Sequence, residues 1–169
     1  MATQKKKKKT PTRKIPRFTK LKEFMSNKTN HMVFGILLIF MAVFFLGAFI
    51  SYLVNWRSDQ SELQMGFIDL MSNQGYQVKN VLGKLGAAIG HQFIFRGFGV
   101  AAFLFPYLLL ITGLRISLNL RLLPLRKSLG VSVFLLLWVP ATMAYIAPSY
   151  PHLSGSMGHY TENLLVSLT

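Results

Sequence analysis

The feature that most constrains the fold is an uncharged apolar run close to the N-terminus. The first 30 residues carry eleven Lys or Arg and one acid, Glu23, whereas residues 32–54 carry no charged side chain. As a helix rising about 1.5 Å per residue, this run is roughly 34 Å long, enough to cross a hydrocarbon core about 30 Å thick. The sequence therefore predicts a basic tail over residues 1–30 and a transmembrane domain over residues 31–169.

Two further uncharged segments predict two more spans, over residues 97–114 and 130–147. Apolar residues also recur at helical spacing over residues 78–95 and 155–169, but polar residues occupy the other faces, which is typical of interfacial helices. The predicted fold class is an all-α membrane protein, a multi-span helical bundle with interfacial amphipathic helices. Residues 155–169 resemble residues 78–95, the segment that precedes the second span. Because the same order would place another span after residues 155–169, we expect a fourth span beyond Thr169.

The distribution of basic residues predicts the orientation. With a cytoplasmic tail, fifteen of the nineteen Lys and Arg face the cytoplasm, as the positive-inside rule requires. Residues 17–26 fit either an amphipathic helix on an anionic membrane surface or a solvated linker. Beyond setting topology, the tail has a composition that attracts anionic lipid or nucleic acid; the residues concerned are Lys5, Lys6, Lys7, Lys8, Lys9, Arg13, Lys14 and Arg17.

Closely spaced glycines predict a helix-packing surface around the second span. Glycines four residues apart on a helix let another backbone approach closely, and Gly86 and Gly90 have this spacing. A proline inside a span removes a backbone donor and is expected to kink it. The predicted packing residues, within one subunit or between subunits, are Gly83, Gly86, Gly90, Gly97, Gly99 and Pro106.

The sequence offers little for catalysis. It has no Cys, no phosphate-binding G-x-x-x-x-G-K-[ST] motif and no acid inside a predicted span. His152 and His159 are seven residues apart, and a metal site there would need more ligands than the sequence shows. We therefore predict no catalytic, cofactor or metal residue in this chain, and the absence of intramembrane acids argues against a transporter or channel subunit.

The glycine and proline spacing resembles the second-span region of the FtsK/SpoIIIE family of bacterial DNA translocases. That family follows the approximate pattern N-x-x-G-x-x-G-A and then F-G-x-x-A-[YF]-x-x-P. The matching residues here are Asn80, Gly83, Gly86, Ala87, Phe98, Gly99, Ala102, Phe103 and Pro106. The resemblance covers residues 30–169, without any position of the motor.

The resemblance implies the four-span N-terminal anchor of a hexameric, ATP-driven DNA pump at the division septum of the bacterial inner membrane. ATP and Mg would serve a motor outside this chain, which would not itself be an enzyme. The implied partners are the lipid bilayer, further copies of the chain, division-site membrane proteins and, through the motor, DNA. A stand-alone membrane scaffold is the first alternative, and a transporter or channel subunit is the second.

Overall fold

The computed structural model describes residues 27–63, 67–72, 75, 77–120 and 124–167. Within these ranges every regular element is helical, which confirms the predicted all-α class. The amphipathic segment 17–26 lies outside the described residues, as do the predicted lipid- or nucleic-acid-attracting residues Lys5, Lys6, Lys7, Lys8, Lys9, Arg13, Lys14 and Arg17. The helices are α1 Lys28–Leu63, α2 Phe67–Ser72, α3 Gly83–Gly90, α4 Leu104–Leu118, α5 Leu125–Ile146 and α6 Pro151–Ser167.

Between α3 and α4 the chain changes its winding, and the helix is interrupted at Gly97 and Gly99, whose backbone angles are not helical. A π-helix runs over His91–Phe98, and a 3-10 helix follows over Gly99–Phe103. Pro106 falls in the first turn of α4 and is fully buried. A first-turn proline costs the helix little because its missing N–H belongs to the turn that lacks intrahelical partners.

Three segments are long and apolar enough to cross a membrane, and they are Lys28–Arg57, Gly83–Leu118 and Leu125–Ile146. The first and third contain most of the predicted spans 32–54 and 130–147. The second is 36 residues long and contains the non-helical backbone at Gly97 and Gly99. This interruption falls directly after residues 78–95, the segment predicted as a separate interfacial helix.

Asn80 explains why the second helical segment starts at Gly83 and not at Val78, as the periodicity predicted. Its buried side-chain amide donates to the carbonyl of Ala48 on α1 at 3.0 Å. Its side-chain oxygen accepts from the Leu82 N–H at 3.0 Å, and Gly83 then takes a positive φ of 64°. A side chain that bonds to its neighbouring backbone competes with the helix, so Asn80 fastens a non-helical segment to α1.

The apolar core joins α1 to the irregular part of the second span. The Phe49 ring lies 5.8 Å from that of Phe93 on the π-helix and 5.6 Å from that of Phe103, the latter edge to face. Phe45 stacks on Phe49 with ring centroids 5.8 Å apart. Each such aromatic pair contributes about 0.5–1.5 kcal/mol in addition to the free energy gained by burying its apolar surface. The cluster therefore holds a segment of unusual winding against a regular helix.

Close backbone contact joins α1 to α4 nearer their other ends. A Cβ added to Gly113 would lie 2.8 Å from the carbonyl oxygen of Gly35, and one added to Gly35 would lie 2.5 Å from the Ser117 nitrogen. Helices in lipid associate through such close packing because burial of apolar surface gives them no advantage over contact with lipid tails. Gly35 and Gly113 thus define an antiparallel contact that the sequence analysis did not identify.

Candidate functional site

The most distinctive part of the structure is a contact between two interrupted helices. Gly97 and Gly99 interrupt the second span, with φ/ψ of −109°/−116° and 58°/−138°. Gly155 interrupts α6 with φ/ψ of 63°/−179°. A Cβ added to Gly155 would contact the Gly97 carbonyl and the Gly99 nitrogen, and would lie 2.7 Å from the Ile94 carbonyl oxygen. We call Gly97, Gly99 and Gly155 the broken-helix crossing.

The contact is reciprocal and buried. A Cβ on Gly99 would meet the Leu153 carbonyl and would lie 2.7 Å from the Ser154 carbonyl carbon. Gly99 and Gly155 are both buried, and Ser154 is 1% exposed. An interrupted helix leaves backbone groups without intrahelical partners, and lipid cannot satisfy them. The two breaks therefore lie where protein covers both.

A side-chain hydroxyl and a second glycine complete this packing. Ser156 donates from its hydroxyl to the Phe95 carbonyl on the π-helix at 3.2 Å. On another side of α6, a Cβ on Gly158 would lie 2.6 Å from the Pro140 carbonyl oxygen and 3.2 Å from the Ala144 Cβ, both on α5. The first half of α6 is thus held between the π-helix and α5 by residues with small side chains.

The structure distributes the predicted packing glycines among several roles. Gly90 packs on α1, where a Cβ would lie 2.6 Å from the Tyr52 Cβ. Gly86 faces the Asn80 side chain and the Leu82 Cβ, so it packs on the preceding loop. Gly83 has no neighbouring atom within 4 Å and supplies a positive φ.

Sequence reasoning missed the partners of these glycines. Gly155 and Gly158 were not among the predicted packing residues, although Ser154, Gly155, Ser156 and Gly158 form a run of small residues. That run is the signal that could have identified a close backbone approach. The predicted helix 155–169 in fact begins four residues earlier, at Pro151, and continues through the interruption at Gly155.

An aromatic cluster closes the bundle next to the crossing. His152 is 7% exposed and stacks on Trp56 of α1 with ring centroids 4.2 Å apart, and the Tyr150 ring meets it edge-on at 5.9 Å. Its Nδ1 atom makes no hydrogen bond within the described part of the chain. Burial lowers the pKa of His152, and the nearby Arg57 guanidinium lowers that pKa further.

The remaining histidines do not assemble a metal site. His91 is buried and shares a hydrogen bond of 3.2 Å with the Tyr52 hydroxyl. His159 lies 3.7 Å from the Glu162 carboxylate on an open face of α6. Among the described residues there is no group of three or more His, Asp or Glu side chains placed to hold a metal ion.

We expect Gly155→Ala to destabilise the domain much more than Gly83→Ala. Both glycines have φ near 63°, so each alanine incurs a conformational cost of about 1–2 kcal/mol. Only the Gly155 position adds a steric overlap with backbone atoms, which is worth roughly 1–3 kcal/mol. Thermal unfolding of the purified variants in detergent measures the difference. Equal losses of stability would show that the crossing does not hold the fold together.

Stability should fall as the pH drops below about 6.5, the ordinary pKa of histidine. The folded protein holds the pKa of His152 below that value. Between the folded and the unfolded pKa, the unfolded chain therefore binds more protons than the folded chain, and acid favours unfolding. Phe in place of His152 keeps an aromatic ring on Trp56 but cannot titrate. Melting temperatures at pH 8 and pH 5.5 should therefore differ more for the wild type than for His152→Phe, and identical differences would contradict this role.

Comparison with known proteins identifies the family to which this architecture belongs. Residues 27–168 match the family described as the 4TM region of DNA translocase FtsK/SpoIIIE. No curated protein and no solved structure matches the chain. The matched region contains all three candidate spans and both sides of the broken-helix crossing. The chain belongs to this family and is a membrane domain of the FtsK/SpoIIIE type.

Proposed function

We propose that this chain is the membrane anchor and assembly domain of a DNA translocase that couples chromosome segregation to cell division. The family match over residues 27–168 is the observation that carries the proposal. By the same resemblance, the ATPase motor lies outside this chain, uses ATP and Mg, and contacts DNA. The chain itself then performs no catalysis, and its work is to hold and assemble the motor at the membrane.

The proposed location is the bacterial inner membrane at the division septum, with a cytoplasmic N-terminus. Basic residues support this orientation: Arg115 lies in the last turn of α4, and Arg126 and Lys127 lie in the first turn of α5. This end of the bundle then faces the cytoplasm together with the basic tail, as the positive-inside rule favours. The turn after α5, residues 147–150, faces outward.

The proposed partners follow from the family and from the surface. Residues on α1 and α5 expose large apolar side chains that suit lipid, among them Val33, Leu37, Phe40, Val43, Phe134 and Leu137. We propose that copies of the chain assemble into a homo-oligomer, a hexamer by family resemblance, and contact other membrane proteins of the division site. The assembly would set the motor over the closing septum.

Cysteine mapping tests the orientation directly, because the chain contains no native Cys. Ser149→Cys, in the exposed turn after α5, should react with a membrane-impermeant maleimide in intact spheroplasts. Leu120→Cys, in the exposed connection after α4, should react only after the membrane is permeabilised. The reverse pattern would overturn the proposed topology, although it would leave the family assignment intact.

Localisation in dividing cells tests the function. The chain joined to a fluorescent protein at its N-terminus, which is cytoplasmic in the proposed topology, should concentrate in a band at midcell, several-fold above the lateral membrane. Gly155→Ala keeps the basic tail and the spans but disturbs the broken-helix crossing, so it should lose the band if the folded bundle makes the septal contacts. Uniform membrane fluorescence of the wild-type chain would overturn the proposed division-site role.

A further inference from the structure

A crevice lies between α4 and α5, and its volume is about 400 Å³. Its lining residues are Leu104, Tyr107, Lys127, Ser128, Val131 and Leu135, with Pro124 and Ser132 beside them.

The lining changes from apolar to basic along α5. Lys127 and Ser128 lie in the first turn of the helix, and Leu135 lies roughly 12 Å farther along its axis. Leu104 from α4 lies opposite this apolar end. The crevice is therefore largely apolar, and Lys127 and Ser128 lie at the end formed by the first turn of α5. An apolar slot with a basic residue at one end suits the acyl chain and the phosphate of a phospholipid.

Charge around the basic end is one-sided. Arg115 follows Leu104 by eleven residues, about three helical turns, so it lies on the same face of α4 and toward the same end as Lys127. Arg126 is exposed next to Lys127, and the sequence contains no acid between Asp69 and Glu162. No carboxylate of this segment therefore neutralises the basic end of the crevice.

We propose that this crevice is a binding site for an anionic phospholipid. One acyl chain lies along Leu104, Val131 and Leu135, and the phosphate lies at Lys127 and Ser128, with Arg115 adding attraction. Basic pockets between spans on the cytoplasmic side are suited to anionic head groups. The inference concerns the residues of the bundle and does not depend on the division-site role.

A second groove in the same bundle gives an internal comparison. It lies between α1 and the segment after residue 77, and it is lined by Gly47, Ile50, Ser51, Val54, Asn55, Val81 and Leu82. It is similarly apolar but has no charged lining residue. In our proposal, Lys127 gives the first crevice its preference for anionic head groups. The second groove has no such residue and should therefore show no preference among head groups.

Photolabelling of the reconstituted full chain tests the site. The probe is phosphatidylglycerol with a diazirine in one acyl chain, in phosphatidylcholine nanodiscs. Label should appear on the α5 peptide containing Val131 and Leu135, and unlabelled phosphatidylglycerol should compete better than phosphatidylcholine. Lys127→Gln should lower labelling about fivefold, whereas Arg126→Gln, an equal charge change at a residue outside the lining, should lower it less than about twofold.

A second pair of variants tests the slot without changing charge. Val131→Trp should block the acyl chain and abolish labelling of that peptide, whereas Val133→Trp, at an exposed position outside the lining, should preserve it. Equal losses in the two charge variants would indicate general attraction to a basic surface and overturn the site. Equal competition by the two lipids would also overturn it. If Val131→Trp fails to fold, the charge pair alone decides.

Discussion

The close approach of two backbones at the broken-helix crossing is the constraint on which the rest of the structure depends. A helix interrupted in a membrane exposes polar backbone groups that lipid cannot bond, so each interruption must be covered by protein. Here Gly155 lies against the carbonyls of Ile94 and Gly97, and Gly99 lies against that of Leu153. Any Cβ at these points would separate the segments, so one interruption requires the other.

This contact also explains why α6 and the second span must be considered together. Gly158 seats α6 on Pro140 and Ala144 of α5, while Ser156 bonds to the π-helix. The core rings of Phe49 and Phe93 then join the π-helix to α1. The chain of contacts runs from α5 through α6 and the π-helix to α1, so disturbance at Gly155 reaches all three spans.

The sequence predicted the class of fold and the three apolar segments because length and absence of charge depend on composition alone. It located the wrong start for the second segment because Asn80 bonds to a carbonyl 32 residues away, which no local period reveals. It identified Gly90 and Gly99 as sites of close approach but could not assign Tyr52 or Leu153 as their partners. Glycine spacing shows where another segment can approach the backbone closely. Only the folded structure shows which segment does so.

The buried polar residues hold parts of the backbone together. Where the structure describes burial, they are Ser51, Asn80, His91, Ser132, His152 and Ser154, with no Lys, Arg, Asp or Glu among them. A transport path through a bilayer normally needs ionisable groups that face one another or a water-filled cavity. Instead, the Ser51 and Asn80 side chains bond to backbone and fasten the loop before α3, and His91 pairs with Tyr52. Polar side chains in this interior therefore fix segments of the backbone in place.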